Sequence, residues 1–214
     1  YRNRDSLLGD MIHCAPALFG ETVFICANDC MLHAFDVQSG NERFGYIPNL
    51  VIGHLGALSQ LDYPDNHRFY VDGPCVVGEV LADENLRRTY LVGGLGKGGK
   101  GYFCLKIGER QRAGSQGCGA YHWTFHVDAV DPEATEAAIC SMVQWEFPRP
   151  EPDDEAMDND GDGLMDEPGE SDQDLGYSYS MAYAVNANSI PDTVAPVVIF
   201  GNGYNRDSGK AILY

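Results

Sequence analysis

Thr22-Val23-Phe24-Ile25-Cys26-Ala27-Asn28-Asp29-Cys30-Met31-Leu32-His33-Ala34-Phe35-Asp36 decides the reading of the fold. Two short runs rich in β-branched and aromatic residues flank Asn28-Asp29-Cys30. Asn and Asp accept turn dihedrals because their side chains can bond their own backbone, so the stretch reads as a β-hairpin. Asp36-Val37-Gln38-Ser39-Gly40 makes a second turn, and Glu42 to Ile47 reads as a further strand carrying Phe44 and Tyr46.

The same pattern returns twice. Thr89-Tyr90-Leu91-Val92 leads through the glycine-rich Gly93 to Lys100 into Gly101-Tyr102-Phe103-Cys104-Leu105-Lys106. Its closing strand is read at Val143 to Phe147, where Trp145 and Phe147 repeat the alternation of Phe44 and Tyr46. A third copy starts at Pro196-Val197-Val198-Ile199-Phe200, turns from Gly201 to Gly209 and returns as Lys210 to Tyr214. Each hairpin follows another strand-like segment, at His13 to Phe19, Phe69 to Leu81 and Tyr177 to Val185. Strand, hairpin, strand is a propeller blade of four antiparallel strands. The expected fold class is therefore all-β, a partial β-propeller domain over residues 1–214 with roughly three blades. Propellers close with about four blades or more, so the half-finished third unit leads us to expect further chain completing the ring.

Two long insertions interrupt the period, at 108–140 and 151–174. Within the first, Asp131 to Ala138 reads as a short surface helix. Leu50 to Gln60, with Leu50, Val51, Leu55 and Leu58 at helical spacing, reads as a helix over one end of a blade.

Composition agrees with strands and turns: glycine supplies 25 of 214 residues, well above the usual share of about 7%, without a collagen period. The net charge of −18 is concentrated. Glu151 to Asp174 holds 12 of the 32 acidic residues and no Lys or Arg, leaving the rest of the chain at −6. No basic stripe offers phosphate contacts, which argues against a nucleic-acid partner. No run of 18 apolar residues is present, so no transmembrane segment is read.

Asp158-Asn159-Asp160-Gly161-Asp162-Gly163-Leu164-Met165-Asp166 carries the sharpest chemical signal. Calcium takes 6–8 oxygen ligands at about 2.3–2.6 Å, and carboxylates on alternate residues present them as the chain wraps the ion. Asp158, Asp160 and Asp162 occupy positions 1, 3 and 5; Gly163 permits the sharp turn; the Leu164 carbonyl serves position 7 and Asp166 position 9. Position 12, usually a bidentate Glu, is Gly169, and Pro168 interrupts any following helix, so an isolated Ca2+ loop is expected in place of a helix–loop–helix hand. Magnesium, which demands stiffer octahedral geometry, fits less well.

Other motifs are weaker. Gly93 to Lys100 lacks the Lys-Ser/Thr pair of a phosphate loop and precedes a strand where such a loop opens a helix. His122 and His126 sit in strand-like alternation with Trp123, Phe125 and Val127, too far apart to clamp one metal easily, and no G-x-S-x-G elbow exists. Of seven cysteines, none forms a C-x-x-C pair, so a structural zinc site is poorly supported. Pairing in an oxidising compartment is favoured over buried free thiols, between Cys118 and Cys140 or, in competition, between Cys26 and Cys30.

The chain resembles part of the C-terminal propeller of the PilY1/PilC family of type IV pilus-associated proteins. The resemblance rests on Leu8 to His13, Ala27 to Asp36, Phe69-Tyr70-Val71-Asp72-Gly73, Val92 to Phe103, Asp174-Leu175-Gly176-Tyr177-Ser178-Tyr179-Ser180 and Phe200 to Asn205, in order along nearly the whole chain. It implies a modified seven-bladed propeller on a secreted protein at the pilus or outer-membrane surface of a Gram-negative bacterium. It further implies a role in pilus biogenesis, control of extension and retraction, and surface attachment. Implied partners are pilins or minor pilins, with any host or surface receptor contacted outside this chain. The family's D-x-D-x-D-x-x-x-D calcium pattern falls on Asp158, Asp160, Asp162 and Asp166. The first hairpin is also similar to a quinoprotein-type repeat, in which Gly follows the Asn-Asp turn. Here Cys30 stands there, and a positive φ would cost it about 1 kcal/mol.

The leading reading is a calcium-binding structural or adhesive component of type IV pili, not an enzyme. The alternatives are a calcium-stabilised extracellular scaffold unrelated to pili and a quinoprotein-type propeller enzyme. The enzyme would need cofactor ligands converging at the ring centre, whereas the calcium motif lies in an insertion.

Overall fold

The computed structural model describes residues 8–112, 121–125, 132–148, 175–190, 193–205 and 211–214. Among the described residues three antiparallel sheets follow one another along the chain. The first joins β1 (Ala17–Phe19), β2 (Thr22–Ala27), β3 (Met31–Asp36) and β4 (Glu42–Tyr46) in sequence order, a four-stranded blade. Only Ala17–Phe19 of the expected first strand pairs. Ala27 faces Met31 across the β2–β3 ladder, which leaves Asn28, Asp29 and Cys30 as a three-residue turn. Such a turn needs a left-handed residue at its third position, and Cys30 has φ 74° there. The next turn is built by Asp36: its carboxylate accepts the Ser39 amide at 2.7 Å and the Ser39 hydroxyl at 2.8 Å, and Gly40 takes φ 72°.

The second sheet comprises β5 (Cys75–Leu81), β6 (Leu86–Gly94), β7 (Tyr102–Arg112), β8 (Tyr121–Phe125) and β9 (Val143–Phe147). The expected four-stranded unit is present as β5, β6, β7 and β9, and β8, from the first insertion, adds a fifth strand. β7 runs into the first insertion and pairs twice, with β9 through Tyr102 to Leu105 and with β8 through Gly108 to Arg112. A strand of eleven residues is long enough to serve two partners along one edge. The two sheets use the same register: Phe44 and Tyr46 face Ala34 and Leu32, while Trp145 and Phe147 face Cys104 and Tyr102. The insertion helix, α2, spans Pro132–Met142. The expected Leu50 to Gln60 helix is a 3-10 turn over Asn49–His54 followed by one α-turn, α1 (Leu55–Leu58).

The third sheet is the hairpin β10 (Tyr183–Ile190) with β11 (Thr193–Ile199). The returning segment near Tyr214 meets it through the Gly201–Leu213 bridge and paired Phe200 and Tyr214 backbone bonds, so it is a bridge in place of the expected strand.

Packing explains why β7 reads as a continuous apolar run. Phe103, Leu105 and Ile107 enter a core shared with Phe24, Leu32, Ala34, Phe44 and Tyr46 of the first sheet. Tyr102 and Cys104 point the other way, into a core with Val92, Leu175, Ala182 and Phe200. Successive strand residues point to opposite faces, so a sheet covered on both faces needs apolar side chains at every position. Each fully buried large side chain contributes about 1.5–3 kcal/mol. Toward the third sheet the contact is aromatic: the rings of Tyr102 and Phe200 lie 4.2 Å apart, and Phe200 stacks on Tyr214 at 5.3 Å. Asn186 of β10 closes the seam by accepting the Leu81 amide at 2.8 Å and donating to the Leu81 carbonyl at 3.0 Å.

Candidate functional site

The segments preceding the second and third sheets, read from sequence as the starts of strands, are latches. Tyr70, Val71, Asp72 and Gly73 lie outside β5 and are buried between the hairpin turn of the first sheet and the glycine-rich turn of the second. The Asn28 side chain accepts the Tyr70 amide at 2.9 Å and donates to Asp72 at 3.3 Å. The Asp72 and Gly73 amides donate to the carbonyls of Leu95 and Gly94, both at 3.1 Å. Gly98 approaches so closely that a Cβ there would collide with the Tyr70 carbonyl. The pattern repeats one sheet later: Gly176 donates to the Asn202 carbonyl at 2.6 Å, and Tyr177 bridges Tyr204. Gly203, at φ 76°, leaves no room for a Cβ beside the Tyr177 carbonyl.

Two polar groups organise these latches. Ser178 is wholly buried, and its hydroxyl accepts the amides of Leu95 at 3.0 Å, Gly96 at 3.3 Å and Gly101 at 3.3 Å while donating to the Gly101 carbonyl at 2.6 Å. In the first sheet the Asp29 carboxylate accepts the Gly9 amide at 2.6 Å, the Met31 amide at 3.2 Å and His33 Nε2 at 3.1 Å. His33 Nδ1 faces Glu42 at 2.6 Å, completing a carboxylate–imidazole–carboxylate row. Burial works against the charge on Asp29, but the imidazole and the Gly9 amide outweigh it and hold the carboxyl below its ordinary value. Burial likewise opposes the imidazolium, and the two carboxylates together raise His33 above its ordinary value. His33 is 4% exposed and Asp29 7%, and the Asp29 oxygens are occupied by backbone amides. Fixing the turn is therefore what this row does, although the same residue types in an open cleft would suggest proton transfer.

Glu146 of β9 ties the first two sheets together. Its carboxylate accepts the Tyr46 hydroxyl at 2.6 Å and the amides of Asn49 and Leu50 at 2.8 and 3.0 Å, satisfying the free donors at the start of the 3-10 turn. Burial and the Glu146 charge both push the Tyr46 phenol up.

The cysteines depart from the sequence expectation. Cys26 and Cys30 are both free. Cys26 stands opposite Leu32 in the ladder, and its sulfur belongs to a group with Cys14 and Cys75. Cys140 is free and exposed, and Cys118 lies outside the described residues. The members of the three-cysteine group come from separate segments, so their spacing along the chain does not show it; the high number of cysteines is the signal the sequence carries. The glycine-rich loop holds a single 3-10 turn, Gly96–Gly98, before β7, as expected of a segment that does not open a helix. Asp158, Asp160, Asp162, Leu164 and Asp166 lie outside the described residues, as does His126.

Among the described residues no helix is long and apolar enough to cross a membrane. A family model described as the PilY1 beta-propeller domain matches residues 12–159. A "Type IV pilus biogenesis factor PilY1 homolog" of Xylella fastidiosa (strain Temecula1 / ATCC 700964) is 32% identical over 194 residues, covering 91% of this chain and 10% of that protein. The "Type IV pilus biogenesis factor PilY1" of Pseudomonas aeruginosa (strain UCBPP-PA14) is 25% identical over 243 residues, covering 100% of this chain and 16% of its own length. That of Pseudomonas aeruginosa (strain PAK) is 34% identical over 137 residues, covering 50% of this chain and 12% of its own. The chain thus spans a small part of the curated relatives it matches, and no solved structure matches it. The matched region takes in the first two sheets and the Tyr70–Gly73 latch between their turns, and with it this chain belongs to the PilY1 β-propeller family.

Proposed function

We propose that this chain supplies propeller blades to a type IV pilus biogenesis factor acting at the Gram-negative cell surface, with pilins or minor pilins as partners. The observation that carries this reading is the family match over residues 12–159, which coincides with two sheets packed through a shared core. The proposal includes a Ca2+ ion held by Asp158, Asp160, Asp162, the Leu164 carbonyl and Asp166. The family match ends at residue 159, so the later ligands are supported by spacing and ligand chemistry. In the absence of the ion, carboxylates on alternate residues repel one another, and no Lys or Arg within 151–174 offsets them. Calcium would order the loop and couple it to pilus extension, retraction and surface attachment, without catalysis.

The test has two arms. Calorimetry should show calcium binding to the wild-type chain and its loss in Asp160→Ala, with an unchanged thermal transition in calcium-free buffer. Equal binding by the two proteins would refute the site. In a strain lacking the full-length protein, complementation with Asp160→Ala should restore protein abundance but not normal piliation and twitching. Normal piliation in cells deleted for the whole gene would refute the pilus role independently of calcium.

A further inference from the structure

Cys14, Cys26 and Cys75 precede β1, lie within β2 and open β5, respectively, yet their sulfurs all fall within 4.8 Å of one another. The Cys14 and Cys75 sulfurs are 3.9 Å apart. The three residues are 9%, 0% and 6% exposed, so the group is enclosed by the core between the first two sheets. An ion with metal–sulfur bonds of about 2.3 Å would space three trigonal sulfurs about 4.0 Å apart. A disulfide requires a separation of about 2.05 Å and would leave the third sulfur unused.

The Cys26 amide donates to the Cys14 sulfur at 3.1 Å, a contact that favours a thiolate. Thiols bind a metal as thiolates, so a cation entering this group would displace their protons.

We propose that Cys14, Cys26 and Cys75 form a three-thiolate site for a soft monovalent d10 cation, Cu(I), bridging the first two sheets. Thiolates select soft ions, and a filled d shell imposes no geometry that three sulfurs cannot meet. Structural zinc takes four protein ligands, and among the described residues this group offers three. The site rests on residues 14, 26 and 75 alone and is independent of the calcium loop and of the pilus role.

The experiment is an anaerobic titration of the reduced chain with Cu(I) against a competing Cu(I) chelator, with sulfur-shell X-ray absorption on the product. One ion per chain in an all-sulfur shell is expected, with release of protons. Cys14→Ser, at the least buried of the three positions, should weaken binding on the order of 100-fold, and Cys75→Ser should do the same. Cys104→Ser, a buried thiol facing the other core, should leave it unchanged. Thermal transitions of the metal-free variants show that each is folded, and added Cu(I) should raise the transition of the wild type and Cys104→Ser only. Three results would each overturn the site: no stoichiometric Cu(I), equal binding by folded Cys14→Ser, or tighter retention of zinc than of Cu(I).

Discussion

Replacing Ser178 by Ala removes one oxygen from the joint between the second and third sheets. The Ser178 hydroxyl accepts three amides, from Leu95, Gly96 and Gly101. Leu95 keeps a second acceptor, the Gly101 carbonyl at 3.0 Å, so its amide stays paired. Gly96 and Gly101, both buried, lose the acceptor that the latch supplies. A buried donor left unsatisfied costs about 1–3 kcal/mol. Both contacts are 3.3 Å long, which places each toward the lower half of that range. The alanine methyl occupies nearly the same space, so no cavity term is added, and relief from burying the hydroxyl offsets only part of the loss. The two losses sum to about 2–4 kcal/mol before that offset, so the expected destabilisation is about 1–3 kcal/mol. Urea unfolding of wild type and variant, compared at a shared m-value, measures it. Ser59→Ala, where an exposed hydroxyl bonds the Gly56 carbonyl, is the control and should stay within about 0.5 kcal/mol. Hydrogen exchange should accelerate at the Gly96 and Gly101 amides in Ser178→Ala. A variant within about 0.5 kcal/mol of wild type, with unchanged exchange at both glycines, would show that the hydroxyl does not hold the turn.

Glu146→Ala strips the Tyr46 hydroxyl and the Asn49 and Leu50 amides of one shared acceptor, and should cost about 2–3 kcal/mol in the same assay. Combining it with Tyr46→Phe should cost less than the sum of the two singles, and strict additivity would count against the shared carboxylate. Stability should also depend on pH through the Asp29–His33–Glu42 row. His33 is raised from 6.5, so its contribution is complete below that value and is lost as pH rises through the higher folded value. Asp29 is lowered from 3.8, so its contribution is complete above that value and is lost as pH falls through the lower folded value. Melting temperatures from pH 5 to 8 should therefore decline on the alkaline side for wild type and flatten in His33→Gln. Parallel profiles would exclude His33 as the titrating group.

Some of this architecture is legible without any tertiary information, because local rules carry it. The Asn28-Asp29-Cys30 turn follows from side chains that bond their own backbone, and the left-handed Cys30 from the geometry of a three-residue hairpin. The equivalence of Phe44 and Tyr46 with Trp145 and Phe147 follows from a period of two, and it holds in the ladder. Composition placed the chain among strand-and-turn proteins, and the motifs matched to the family run along most of it. Other features belong to tertiary structure alone. Phe69 to Gly73 and Tyr177 to Ser180 look like strands because they are apolar and aromatic, yet they lie between two turns and spend their backbone bonds there. The second partner of β7 and the 3-10 winding of Asn49–His54 around Glu146 are likewise set by groups far along the chain. The cysteine group is the clearest case. Cys14 and Cys75 are 61 residues apart, and no spacing rule or propensity acts over that distance. They meet because β2 and β5 bury their apolar faces in the same core, and that shared burial brings the sulfurs together.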